Sequence, residues 1–111
     1  MKSTVIVQFD IEGFHHYPNA PQEVNFLSHN HRHTFIVKAG YQVQDLNREK
    51  EIFICRDELK QYLSEAYGVP CQFENMSCEM IAKEILTFGL IDGMIWCEVW
   101  EESTGGARIE L

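Results

Sequence analysis

The chain has 111 residues, 45% of them hydrophobic and 23% charged, a composition typical of one soluble domain. Its formal net charge of -8 disfavours binding to a phosphate backbone, because the nine lysine and arginine residues are scattered along the sequence. The first 13 residues are too short and too interrupted by polar residues for an export signal, and no segment approaches the roughly 18 to 20 apolar residues of a membrane span. We therefore expect a single cytoplasmic domain over residues 1–111, with neither nucleic acid nor a membrane as a partner.

The first predicted strand covers residues 4–11, where apolar and polar side chains alternate. Alternation of this kind is typical of a strand with one buried face. If the chain stays extended, His15 lies on the face that carries Val7 and Phe9, because its position has the same parity. The segment 18–21 contains two prolines and predicts a loop.

The second predicted strand runs from residue 31 to about residue 44 and ends in a polar turn over 45–50. His31 and His33 open its apolar parity class. The run 51–55 is apolar again, which predicts the returning arm of a hairpin.

Two amphipathic helices are predicted next. The apolar residues of the first recur at positions i, i+3, i+4 and i+7: Leu59, Tyr62, Leu63 and Ala66. Segment 68–70 ends this helix, and the second begins after Ser77 as N-cap and ends near Gly89. A strand over 94–101 and a short terminal strand over 108–111 complete the chain.

The resulting order is strand-strand-strand-helix-helix-strand-strand, which predicts one α+β domain. The strand at 94–101 is apolar on both faces, with Met94, Trp96 and Trp100 on one side and Ile95, Cys97 and Val99 on the other. Such a strand is either covered on both faces or lies at an interface.

The four cysteines, Cys55, Cys71, Cys78 and Cys97, form no CxxC pair. Their number would permit two disulfides, but cytosolic proteins keep their thiols reduced. We therefore expect four free thiols and no cysteine-based zinc site.

The histidines suggest a metal site. His31 and His33, at positions i and i+2 of a strand, project to the same side with Cα atoms roughly 6.5 Å apart, so both could reach one ion. His15 is the best-placed third ligand by parity. Three neutral imidazoles bind zinc and leave a fourth position for water or a substrate. The alternative is a surface or core pair of histidines without metal, and we expect His16 and His29 to face solvent or to support the ligands.

Four segments, in this order, resemble the 6-pyruvoyl-tetrahydropterin synthase / 6-carboxy-tetrahydropterin synthase family: residues 9–15 (FDIEGFH), 31–35 (HRHTF), 74–79 (ENMSCE) and 99–101 (VWE). The resemblance implies a tunnelling fold (T-fold), an antiparallel four- to five-stranded sheet with two helices on one face. It implies zinc bound by His15, His31 and His33, and lyase activity on a dihydropterin triphosphate or related pterin or purine compound. It also implies a homo-oligomer, a trimer or hexamer, with active sites at subunit boundaries.

In that family a glutamate in the last segment anchors the pterin ring, a role that the resemblance transfers to Glu101. A carboxylate can accept two parallel hydrogen bonds from the N–H and amine edge of a pterin or guanine. The alternative is an exposed acid beside Glu102 in an acidic turn.

The sequence departs from the family at the groups that transfer protons. Leu27 stands four residues before His31, where the synthases have a cysteine base, and segment 67–73 lacks their Asp–His pair. Arg32 replaces the glycine between the two ligand histidines.

Three residues are candidates to replace the missing base: Glu23, His29 and Cys71. Without such a group, the chain would be a non-catalytic pterin- or purine-binding module, or an oligomeric scaffold with a structural metal. A third alternative is an interaction domain that binds no metal.

Overall fold

The computed structural model describes residues 1–111 as five strands, two α-helices and two short 3-10 segments. In chain order these are β1 (Ser3–His15), a 3-10 segment (Gln22–Ser28), β2 (His31–Val43), α1 (Ile52–Tyr67), β3 (Cys71–Gln72), α2 (Cys78–Gly89), a second 3-10 segment (Leu90–Asp92), β4 (Met94–Glu101) and β5 (Gly105–Glu110). The strands form one sheet in the order β3-β1-β2-β4-β5. The predicted α+β class is confirmed.

The sheet is mixed, so the prediction of a wholly antiparallel sheet is wrong. β1 with β2, β2 with β4, and β4 with β5 are antiparallel, but β3 runs parallel to β1 and pairs Cys71 with Gly13 and Gln72 with Phe14. The sequence did not predict β3, because a strand of two residues has no periodicity to detect.

The run 51–55, predicted as the arm of a hairpin, begins α1 instead. The Glu51 carboxylate accepts hydrogen bonds from the backbone N–H groups of residues 53 and 54 and so caps the helix. Cys55 then opens the buried stripe, which continues at Leu59 and Leu63. The apolar side chains of residues 52–54 stay exposed, so their hydrophobicity did not signal a buried strand.

α2 follows the prediction closely. The Ser77 hydroxyl accepts a hydrogen bond from the Met80 N–H at 3.2 Å, and the helix ends at Gly89. Neither helix has the length and hydrophobicity needed to cross a bilayer.

Both helices pack on the same face of the sheet. Residues of one parity class, such as Val7, Val37 and Val99, join Leu59 and Ile85 of the helices in a cluster of 18 buried residues. All four cysteines are free, as predicted, and three of them lie in this cluster. The core therefore fixes which face of β1 and β2 points inward, and with it the side on which the histidines lie.

β4 departs from the predicted parity at its first residue. A bulge in the β2–β4 pairing sets Met94 opposite Tyr41, so Met94 turns into the core instead of sharing a face with the tryptophans. Trp96 and Trp100 remain half-buried on the face away from the helices. Cationic side chains cover their rings: Arg108 lies 4.0 Å from the Trp96 centroid and Lys38 lies 5.6 Å from that of Trp100.

Candidate metal centre

The pairing of β1 with β2 brings the three predicted ligand histidines together. His15, the last residue of β1, lies opposite His31, the first residue of β2, and His33 follows two positions later on the same face. The ring centroid of His15 lies 4.6 Å from that of His31 and 5.2 Å from that of His33, and all three ring pairs meet edge to face. His15 is the most deeply buried, at 7% exposure.

Each imidazole is oriented by a hydrogen bond at Nδ1. The Nδ1 of His15 lies 2.9 Å from the Met76 carbonyl oxygen, and that of His31 lies 2.8 Å from the His29 carbonyl oxygen. The Nδ1 of His33 lies 3.0 Å from Oε2 of Glu102. Because carbonyl and carboxylate oxygens only accept, each Nδ1 carries a proton, so the neutral form of each ring presents a bare lone pair at Nε2.

The three Nε2 atoms are buried and have no hydrogen-bond partner. Glu101 lies among them, with Oε1 3.0 Å from Nε2 of His15 and 3.4 Å from Nε2 of His33. These contacts are short, but neither is a hydrogen bond in the structure. Three lone pairs and a carboxylate facing one point repel each other unless a cation lies between them.

The spacing of these atoms fits a single ion. His15, His31, His33 and Glu101 each offer one ligand atom, and these four atoms lie within 4.8 Å of one another. Two ligands of a tetrahedral zinc ion with bonds of 2.0–2.1 Å are about 3.4 Å apart, close to the two Glu101 distances. The group is therefore one that could hold a metal ion.

Burial also favours the neutral state that a metal requires. It lowers the pKa of His15, while the Met76 carbonyl and the charge of Glu101 act in the opposite direction. A neutral imidazole is the form that coordinates a cation, so the environment of His15 prepares it for that role.

A cavity of about 600 Å³ opens beside this group. His15, His31 and Glu101 form part of its wall, and Leu27 lines it together with residues from 16–18, 75–80 and 105–106. Its volume lies within the range of small-molecule sites. The group of His15, His31, His33 and Glu101 is therefore accessible from a pocket large enough for a bicyclic ring.

The three candidate bases lie elsewhere. Glu23 is exposed on the first 3-10 segment, and His29 is exposed and contributes only its backbone carbonyl to the site. Cys71 is buried in the core, where its thiol donates to the Leu63 carbonyl oxygen at 3.8 Å and burial raises its pKa to about 11. None of the three lines the cavity.

Two residues of the site did not stand out in the sequence. Glu102 holds His33, although as the second acid of a turn it resembles an ordinary solvated residue. Cys78 lines the cavity, and burial, aided by the charges of Glu101 and Glu79, raises its pKa to about 12. Its thiol is therefore protonated at neutral pH and is a poor nucleophile.

Comparison of the sequence with models of protein families finds no match, and comparison with curated proteins finds none either. The likeness to the pterin synthases thus depends on the four short segments and their order. The functional interpretation depends on the geometry of the three histidines, Glu101 and the cavity beside them.

Proposed function

We propose that this protein binds one zinc ion through His15, His31 and His33, with Glu101 as the fourth protein ligand. The observation that carries the proposal is the set of three buried Nε2 atoms without a partner, each with its tautomer fixed by an acceptor at Nδ1. Imidazole and carboxylate together form a ligand set common for zinc. A bound zinc ion would supply a Lewis acid able to polarise a carbonyl or hydroxyl group that joined it as a fifth ligand.

Metal content per chain tests this part of the proposal. Protein purified without chelator should contain about one zinc per chain, and His15→Ala and His33→Ala should lose it because three-ligand binding is much weaker. His29→Ala is a matched control, since its ring is exposed and the carbonyl that holds His31 is retained. Equal zinc in all four proteins, or none in the wild type, would refute the proposal.

The cavity beside the metal is proposed to take a pterin- or purine-like molecule. Glu101 both lines the cavity and reaches the histidines. With one carboxylate oxygen directed at the metal, the other is free to accept an N–H of a heterocyclic ring. The resemblance to the pterin synthases supports this ligand class independently of the volume.

We propose recognition without turnover as the main version of this function, because the family's cysteine base is missing. Leu27 lines the wall at the sequence position of the family's cysteine base, and an isobutyl group cannot accept a proton. Cys78 lies in the wall with its pKa raised, and Glu23, His29 and Cys71 lie outside it.

The lyase reaction on a dihydropterin triphosphate is the second candidate function, and the metal and the family resemblance support it. Incubating the zinc-loaded protein with that substrate and analysing the products by mass spectrometry separates the two versions. Product that is absent from His33→Ala would establish the lyase. Saturable binding of a pterin without product would establish recognition alone.

The proposal includes a homo-oligomer, a trimer or hexamer. β5 lies at one edge of the sheet, and β3 covers only Gly13 and Phe14 at the other, so most of β1 has an unpaired edge. Open edges of this length are usually covered in native proteins. Light scattering at micromolar concentration should give a mass of at least three chains, and a monomer mass of 12.9 kDa would contradict the assembly.

A further inference from the structure

Two consecutive carboxylates, Glu101 at the end of β4 and Glu102 in the turn after it, contact the imidazole of His33. Oε1 of Glu101 lies 3.4 Å from Nε2 of His33, and Oε2 of Glu102 accepts a hydrogen bond from Nδ1 of the same ring at 3.0 Å. Each nitrogen of His33 therefore faces a carboxylate, but only the contact of Nδ1 with Glu102 is a hydrogen bond.

This arrangement requires an unusual backbone. In an extended strand, consecutive side chains point to opposite faces, so Glu102 would point away from the ring that Glu101 contacts. Its φ of 49° is instead in the left-handed region, which residues with a Cβ rarely adopt. A strained conformation at an acidic residue beside a metal group is the kind of feature that accompanies function.

Glu102 also closes the ladder between β2 and β4. Its backbone N–H donates to the Thr34 carbonyl at 3.1 Å, and Oε1 of its side chain accepts from the Thr34 N–H at 2.7 Å. One carboxylate thus fixes both the backbone after His33 and the ring of His33. The other two imidazoles are held by the carbonyls of Met76 and His29, so Glu102 is the only side chain that orients a ligand of the group.

We propose that Glu102 is a positioning residue for the metal centre: it fixes the tautomer and the orientation of His33 and thereby raises metal affinity. This inference rests on the proposed zinc site. A carboxylate is a stronger acceptor than a carbonyl, so it also makes Nε2 of His33 a better donor to the metal. Glu101 and Glu102 together carry the two negative charges that balance a divalent cation bound by three neutral rings.

The test compares Glu102→Gln, Glu102→Asp and a control, Glu110→Gln, which removes an exposed charge from β5. Glutamine has one acceptor oxygen, so either His33 or Thr34 loses its partner. Aspartate keeps the charge but shortens the reach. Zinc affinity, measured by competition with a chromophoric chelator, should fall about 10- to 100-fold in both Glu102 variants, and the control should match the wild type.

A second readout separates positioning from simple support of the turn. With Co²⁺ in place of zinc, the wild type should show three hyperfine-shifted imidazole N–H signals in its proton NMR spectrum. The Glu102→Gln variant should lose or move one of them and leave the other two. A turn that is merely destabilised would lower the melting temperature of the metal-free protein without changing these signals.

Three results would overturn the inference: affinity of Glu102→Gln equal to that of Glu110→Gln, wild-type affinity in Glu102→Asp, or unchanged Co²⁺ signals. If the wild type binds no metal, the proposed function fails, but the role of Glu102 is still tested. Nitrogen-15 NMR of the metal-free protein should then find His33 protonated at Nδ1 in the wild type and shifted toward Nε2 protonation in Glu102→Gln. An unchanged tautomer would refute the positioning role.

Discussion

Zinc should raise the stability of the wild-type protein by an amount that depends on its free concentration. The proposed ligands come from the end of β1, the start of β2 and the end of β4, and an unfolded chain does not hold them together. An ion bound there therefore favours the folded state through its affinity for that state alone. His15→Ala removes the most buried of the proposed ligands and should remove most of the effect.

The expected shift in melting temperature follows from the stabilisation by zinc and from the unfolding entropy, which depends on chain length. At a free zinc concentration 100 times the dissociation constant, the unfolding free energy rises by about 2.7 kcal/mol. Unfolding entropy of about 2.1 cal/mol/K per residue gives about 0.23 kcal/mol/K for 111 residues. The melting temperature of the wild type should thus rise by about 12 °C.

Differential scanning calorimetry at several buffered zinc concentrations measures this shift. The wild type and the His29→Ala control should show it, with a further rise as zinc increases, and chelator should reverse it. His15→Ala should show less than about a quarter of the shift, because removing a direct ligand should cost at least the roughly 100-fold that is the upper end of the loss for outer-shell partners. Equal shifts in His15→Ala and the wild type would refute the assignment of the ligands, and no shift in the wild type would refute the metal site.

Three further changes test the elements that hold the site. Gly13→Ala places a Cβ 2.8 Å from a ring carbon of Phe73, so it should lower the unfolding free energy measured by urea denaturation by about 1–3 kcal/mol. Wild-type stability would show that the Phe73 ring can move aside at little cost. Ser77→Ala removes the N-cap of α2 and should cost about 1 kcal/mol by the same assay, and an unchanged midpoint would contradict the capping role. The hydrogen bond from the Trp100 indole, aided by Arg108, lowers the pKa of Glu98 from its ordinary value of 4.5, so its stabilisation is complete above that pH and is lost as pH falls through the lower folded-state pKa. Glu98→Gln should therefore lose less stability than the wild type between pH 5 and about pH 3, and parallel losses would contradict this assignment.

The positions of the three histidines could be predicted from the sequence because strand periodicity decides them. Once β1 and β2 are extended, parity alone sets His15, His31 and His33 on the face of the core. The acceptors that fix their tautomers could not be predicted in this way. Met76 lies 61 residues from His15 along the chain, and its contribution is a backbone carbonyl that any residue would supply.

The predictions that were wrong, for residues 51–55 and for Met94, also have local causes. The run 51–55 has the composition of a strand, but the carboxylate of Glu51 caps the two N–H groups that start a helix. The bulge in the β2–β4 pairing turns Met94 inward, and the alternation of apolar and polar residues in the sequence gives no sign of it. The side chain of Glu102 turns toward the ring that Glu101 contacts because its φ is left-handed, a conformation that is uncommon for residues with a Cβ.

The two walls of the cavity differ in how firmly they are attached to the sheet. Three hydrogen bonds join the end of β1 to segment 73–76: Phe73 N–H to the Phe14 carbonyl, His16 N–H to the Glu74 carbonyl, and His15 Nδ1–H to the Met76 carbonyl. The wall that carries Leu27 is joined to the residues just after β1 by one hydrogen bond, from Tyr17 N–H to the Leu27 carbonyl. The first wall is therefore attached to the strand that carries His15 by more bonds than the second wall. The shape of the cavity could thus change more easily around Leu27, as long as the His29 carbonyl that orients His31 is kept.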